Sequence, residues 1–196
     1  MQLMKKEFDG MLFLVVGNSG SGKDTLIREI LKHYPTDKKQ ILNPKRYITR
    51  VPSETEKNIS ITPEEFRKLS NEGKFALEWH IYGLDYAIPI IIEDWLYLGH
   101  PVITNVSREI IDDAKQKYKN IRVIFIEVPF ETSVKRLRDR HREYGNQLNQ
   151  RIERARSHQK YNQADFVIDN SGKLEEAVNE LLNYILNNVT EMHEIE

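Results

Sequence analysis

The sequence predicts an α/β fold, with a mostly parallel sheet core flanked by helices. Three observations predict it. Short apolar runs of strand length alternate along the chain with stretches of helical period. Those runs carry little polar alternation, which marks strands buried on both faces. A glycine-rich loop joins the first such run directly to the first helical stretch.

Residues 11–16 (MLFLVV) are the first buried strand. From residue 23 to about 34, Leu26, Ile27, Ile30 and Leu31 recur at helix spacing, and Pro35 closes the helix. Residues 35–61 read as polar and irregular. Thr62-Pro63-Glu64-Glu65 is a helix start: Thr62 caps, Pro63 fits the first turn, and Glu65 completes a capping box. That helix should end near Gly73. Phe75, Leu77 and Trp79 then alternate with Ala76, Glu78 and His80, as in a half-exposed strand. A helix is expected over 89–98, buried strands over 101–106 and 121–128, and helices over about 109–118 and 130–141. A last short strand at 165–168 precedes a final helix from about Leu174.

The 196 residues suffice for one compact domain carrying small mobile insertions. Hydrophobic residues at 39% and charged residues at 30% indicate a soluble globular chain, and no apolar run approaches membrane-spanning length. The N-terminal residues lack the pattern of a secretory signal, and with no cysteine the chain has neither disulfides nor thiolate chemistry. The expected location is cytoplasmic, with no membrane and no nucleic-acid partner; the net charge of −1 argues against the latter. Charge is unevenly spread. Residues 135–160 hold nine Lys/Arg against three acids, whereas 173–196 hold one Lys against six Glu. A basic block in a near-neutral chain suits a polyanionic small ligand, although an ordinary solvated helix face gives the same count.

Gly17-Asn18-Ser19-Gly20-Ser21-Gly22-Lys23 fits the phosphate-loop pattern G-x-x-x-x-G-K, placed after a strand and before a helix. Glycines let successive N–H groups curl inward toward phosphate oxygens, and the helix N-terminus adds partial positive charge. Lys23 is the residue expected to follow charge onto the transferring phosphoryl group. The position after it, usually Ser or Thr, is Asp24, followed by Thr25. Either Thr25 supplies the hydroxyl to Mg²⁺, or Asp24 holds the metal directly or through water, or Asp24 only favours the positive helix end.

GNSGSGKDT, the Arg of YITR, EGKFALEWH…GLDY, RLRDR…R and VIDN occur in the order and spacing of guanylate-kinase-like enzymes, which this chain resembles from Leu12 to about Asn170. The resemblance implies one P-loop kinase domain over 1–196. Its parts would be a core (about 8–36, 89–137 and 151–190), an acceptor-binding insertion (about 37–88) and a short lid (about 138–150). It implies ATP and Mg²⁺ as cofactors and a small phosphorylated acceptor. Arg136, Arg140 and Arg151 match the lid arginines of that family. The first pair share a helix face, and guanidinium binds phosphate oxygens bidentately without losing its charge. Arg142, Arg154 and Arg156 lie nearby. By position, Arg50 and Tyr86 match residues that hold the acceptor phosphate, with Arg46 beside them, and Asp169-Asn170 match the adenine contact.

The base-reading part departs from that family. Where guanylate kinases carry a guanine-pairing Glu this chain has Leu77, their D-x-D becomes Ile103-Thr104-Asn105, and a phosphate-binding Tyr becomes Asn58. An unpaired guanine edge would cost several kcal/mol. RYITR, the segment from Trp79 to Leu84, TNVSR and the GKD variant look like the ribose 1,5-bisphosphate phosphokinase family of phosphonate utilisation. Asp85 and Ala87 stand where that family has Tyr and Gly. That closer resemblance implies ATP-dependent conversion of ribose 1,5-bisphosphate to 5-phospho-α-D-ribose 1-diphosphate. Asn105, Ser107 and Arg108 would then contact the sugar and its 5-phosphate. Two other readings remain: a nucleoside-monophosphate kinase of altered base choice, and a non-catalytic module derived from guanylate kinase. His80 is open between a base and an exposed hydrogen-bonding side chain, and Trp79 is read as core. Oligomeric state is not encoded in any of these patterns.

Overall fold

The computed structural model describes residues 4–51, 58–139 and 145–193. In chain order its first half contains β1 (Leu12–Gly17), α1 (Lys23–His33), β2 (Tyr47–Ile48), β3 (Ile59–Ser60), α2 (Pro63–Asn71), β4 (Phe75–Ile81) and β5 (Leu84–Pro89). The second half contains α3 (Ile91–Tyr97), β6 (Val102–Asn105), a 3₁₀ turn (Arg108–Ile110), α4 (Ile111–Lys117), β7 (Ile121–Glu127), α5 (Phe130–Asp139), α6 (Gly145–Ser157), β8 (Phe166–Asp169) and α7 (Leu174–His193).

The larger sheet has the order β6-β1-β7-β8, and all of its pairings are parallel. Its centre, β1, is covered on both faces, and the strand period of two divides its side chains between two layers. Leu12, Leu14 and Val16 pack with Ile92, Leu96, Ile111 and Phe125, on the side of α3 and α4. Phe13 and Val15 pack with Leu26, Ile30, Leu181 and Ile185, on the side of α1 and α7. Burying one such side chain is worth roughly 1.5–3 kcal/mol, so this double-sided strand anchors everything attached to its end. Leu42 pairs in parallel with Val102 beyond the β6 edge, so part of the stretch expected to be irregular extends the sheet.

The smaller sheet has the order β3-β2-β5-β4. Strands β4 and β5 form an antiparallel hairpin, β2 runs antiparallel to β5, and β3 parallel to β2. Helix α2 covers part of it through Phe66, which packs with Phe75 and Ala87. Its start is the expected capping box: Glu65 N–H donates to Thr62 Oγ1 at 3.1 Å and Thr62 N–H to Glu65 Oε2 at 2.8 Å.

Two expectations change. Residues 84–89 form a strand where no element is expected before 89, and the helix expected over 89–98 begins only at Ile91. Cross-strand pairing with β4, from Ile81↔Leu84 to Phe75↔Pro89, decides this, and no local pattern carries that information. Residues 145–157 form one continuous helix, crossing the boundary drawn between lid and core. Leu148, Ile152 and Ala155 have helical spacing, but the surrounding polar residues hide it. Among the described residues no helix is long and apolar enough to cross a membrane.

Candidate active site

A cavity of about 340 Å³ opens at the C-terminal end of β1, where the two sheets and α6 meet. This is the usual ligand position in an open parallel α/β sheet. The phosphate loop forms its floor. Gly20 and Gly22 adopt φ of +86° and +91°, where a Cβ would also collide. It would meet the Ser133 carbonyl oxygen at 2.7 Å and Asn170 Nδ2 at 2.4 Å, respectively. Lys23 Nζ donates to the carbonyl oxygens of Gly17 at 2.7 Å and Asn18 at 2.9 Å, so the loop itself steers the ammonium. Ser21 is fully buried, and its carbonyl accepts from Asn170 Nδ2 at 2.8 Å. Asn170 therefore braces the loop from behind rather than lining the cavity where an adenine contact was expected.

Arg136 and Arg151 both line the cavity, brought there by α5 and α6. Arg136 donates to Gly20 O at 3.4 Å and Asn170 O at 3.3 Å, and Arg151 to Ser19 Oγ at 2.9 Å. Arg140 and Arg142 lie outside the described residues. Arg154, one turn beyond Arg151, also lines the cavity and pairs with Glu109. In the sequence it stands only among nearby basic residues, because the polar composition of α6 hides the helix that puts it on the face of Arg151. Arg156 is mostly exposed and lies beside Glu153.

The smaller sheet supplies the opposite wall. Arg46, Arg50 and Tyr86 reach the cavity from just before β2, the loop after it and β5, joined by Trp79, Ile81 and Tyr82 of the hairpin. Trp79 is 9% exposed and stacks on Tyr86 with ring centroids 5.4 Å apart, so it serves as core and as wall together. Leu77 is buried and absent from the lining, and Asn58 is absent from it too. His80 does not line the cavity; its ring is exposed and its Nδ1 lies 2.6 Å from Asp85 Oδ1. It is the hydrogen-bonding alternative, not the catalytic base, that this position fits.

Asn105 and Ser107 follow β6 to the junction between the halves. Asn105 Nδ2 donates to Asp24 Oδ1, and Arg46 approaches the same carboxylate at 4.0 Å. Asp24 is therefore drawn toward the acceptor side, beyond any effect on the helix end. Asp24 and Thr25 both line the cavity. Among the described residues no group of three or more His, Cys, Asp or Glu could hold a metal by itself. One carboxylate and one hydroxyl beside a phosphate loop fit Mg²⁺, which keeps its waters and binds chiefly through substrate phosphates.

Arg108 sits between rings, with its guanidinium 4.9 Å from the Phe125 centroid and 5.3 Å from that of Tyr161. It donates to Asn18 Oδ1 at 3.2 Å and His158 O at 2.8 Å, and burial lowers its pKa. These bonds tie it to the phosphate loop while it lines the same cavity as Asn105 and Ser107. Burial alone would raise the Glu109 carboxyl, but hydrogen bonds from Ser107 and Arg154 outweigh it and hold Glu109 below its ordinary range.

Comparison with known proteins agrees with this geometry. Residues 10–188 match the family model described as guanylate kinase. A ribose 1,5-bisphosphate phosphokinase of Bradyrhizobium diazoefficiens is 36% identical over 91% of this chain and 89% of its own length. One from Pectobacterium atrosepticum is 38% identical over 84% of this chain and 87% of its own. The crystal structure of guanylate kinase from Anaplasma phagocytophilum shares the fold, with a TM-score of 0.68 at 22% identity over 94% of this chain and 88% of that one. The chain belongs to the guanylate kinase family and, within it, to the ribose 1,5-bisphosphate phosphokinases.

Proposed function

We propose that the protein moves the γ-phosphoryl group of ATP, carried with Mg²⁺, onto the C1 phosphate of ribose 1,5-bisphosphate, releasing ADP and 5-phospho-α-D-ribose 1-diphosphate. The lining of the cavity carries this reading. Lys23, Arg46, Arg50, Arg108, Arg136, Arg151 and Arg154 line it against the carboxylate of Asp24 and that of Glu109, which pairs with Arg154, so the cavity is strongly positive and suits several phosphate groups. Among the described residues, the acceptor wall of Trp79, Ile81, Tyr86 and Val106 also holds no carboxylate to pair with a purine edge.

In this mechanism an oxygen of the C1 phosphate attacks the γ-phosphorus as the bond from that phosphorus to the β–γ bridging oxygen breaks. The acceptor is already an anion, so no general base is required, and catalysis is positioning and charge neutralisation. Gly17, Asn18, Ser19, Gly20, Ser21, Gly22 and Lys23 hold the donor phosphates through the loop N–H groups and the ammonium. Asp24 and Thr25 would hold Mg²⁺, which would supply charge neutralisation when bound. Arg136, Arg140 and Arg151 take the transferring group from the side opposite Lys23. Arg46, Arg50 and Tyr86 hold acceptor phosphate, while Asn105 and Ser107 meet the sugar hydroxyls. The structure supports Asn170 and Arg108 as braces of the donor loop.

Coupled ADP-release assays with ribose 1,5-bisphosphate, GMP, dGMP and AMP test the assignment. Turnover confined to the bisphosphate is expected. Comparable turnover with GMP would transfer the reading to a nucleotide kinase, and failure to bind ATP would favour a non-catalytic module.

A further inference from the structure

The β4–β5 hairpin turns through only Tyr82 and Gly83, with φ of +55° and +73°. Such two-residue turns favour Asn-Gly or Asp-Gly, because the first position must also tolerate a left-handed backbone. Tyr82 is the only non-glycine residue at positive φ among the described residues. A bulky side chain held there is strained, and such strain collects at functional sites. The Tyr82 ring does not point into open solvent. It is half-buried at the cavity, with the Arg151 guanidinium 4.8 Å from its centroid and that of Arg154 at 5.9 Å. Arg151 also donates to Ser19 Oγ at 2.9 Å. One guanidinium therefore spans the acceptor hairpin and the donor loop, gripped by an aromatic face at one end and a hydroxyl at the other. A long, rotamer-rich side chain gains definition from two anchors that it would lack with one.

We propose that Tyr82 is a positioning residue for phosphoryl transfer, whose ring holds Arg151 over the phosphate loop and thereby ties the acceptor hairpin to the catalytic arginine. The proposal rests on the phosphoryl-transfer reading above. It explains why a residue unfavourable to the turn stands at its tip.

Three single variants and one double variant of the full chain test it. Tyr82→Asn installs a residue the turn prefers and removes the aromatic face; Tyr82→Phe keeps the face. Tyr82→Asn is expected to melt no lower than the parent while kcat falls about tenfold, the scale of a lost cation–π contact. Tyr82→Phe should stay within about twofold of the parent. Adding Tyr82→Asn to Arg151→Ala should lower kcat by no more than about a further twofold, because the ring acts through that arginine. Unchanged kcat in Tyr82→Asn, an equal loss in Tyr82→Phe, or multiplying losses in the double variant would each overturn the proposal. Slow ATP hydrolysis, followed in the same proteins without acceptor, gives the same comparison. A wrong acceptor assignment therefore registers separately from a wrong role for Tyr82.

Discussion

The donor half and the acceptor half of the cavity are built in different ways. In the donor half, seven consecutive residues, Gly17 to Lys23, form the loop, and the strand that feeds it, β1, is buried on both faces. In the acceptor half, Arg46 and Arg50 flank β2, Tyr86 lies on β5, and Asn105 comes from the end of β6 in the larger sheet, so most of this wall rests on a smaller sheet whose β2 and β3 are two residues each. The first arrangement is local in sequence and deeply anchored. The second exists only when β2 finds β5 and β6 finds β1, so its geometry is the more easily altered. That difference fits a chain that matches both the guanylate kinase family model and ribose 1,5-bisphosphate phosphokinases.

The contrast predicts a graded set of effects. Phe13→Ala, a cavity in the middle of the large sheet, should cost about 3–5 kcal/mol of stability by denaturant unfolding, and a loss below 1 kcal/mol would remove the claim that this sheet is the anchor. Lys23→Ala should lower kcat at least about 100-fold with the circular dichroism spectrum intact. An active Lys23→Ala protein would break the donor half of the comparison. Arg50→Ala should raise the KM for the acceptor about 10–100-fold, from loss of a charge-assisted phosphate contact, while the KM for ATP moves little. Equal changes in both constants would show that the halves are not separable. Thr62→Ala removes the α2 cap and should cost about 1 kcal/mol, read out as faster amide exchange in α2 and β4 with β1 and β7 unaffected.

Much of the donor half could be read from local pattern. The Met11–Val16 run, the glycine loop and the spacing of Leu26, Ile27 and Ile30 are short-range signals, and each forms the element it specifies. The capping box at Thr62 behaved the same way, because a cap is a contact between residues three apart. Helix α6 was hidden by polar composition, and with it the place of Arg154 on the face of Arg151. Strand β5 leaves no local signal, because its identity lies in pairing with β4. Arg108 and Asn170 carried signals of contact with ligand, yet their side chains turn to Asn18 and Ser21 of the loop.

The sequence by itself determined that this protein grips phosphate, since a strand, a glycine loop and a helix N-terminus within a dozen residues leave the backbone few alternatives. Only the tertiary structure decided what surrounds that grip: a strained tyrosine beneath an arginine, an asparagine joined to Asp24, and a basic cavity closed by an apolar wall. The physical reason is range. Backbone conformation and capping act over a few residues, whereas charge and aromatic faces act across whatever distance in sequence the packing of the two sheets brings together.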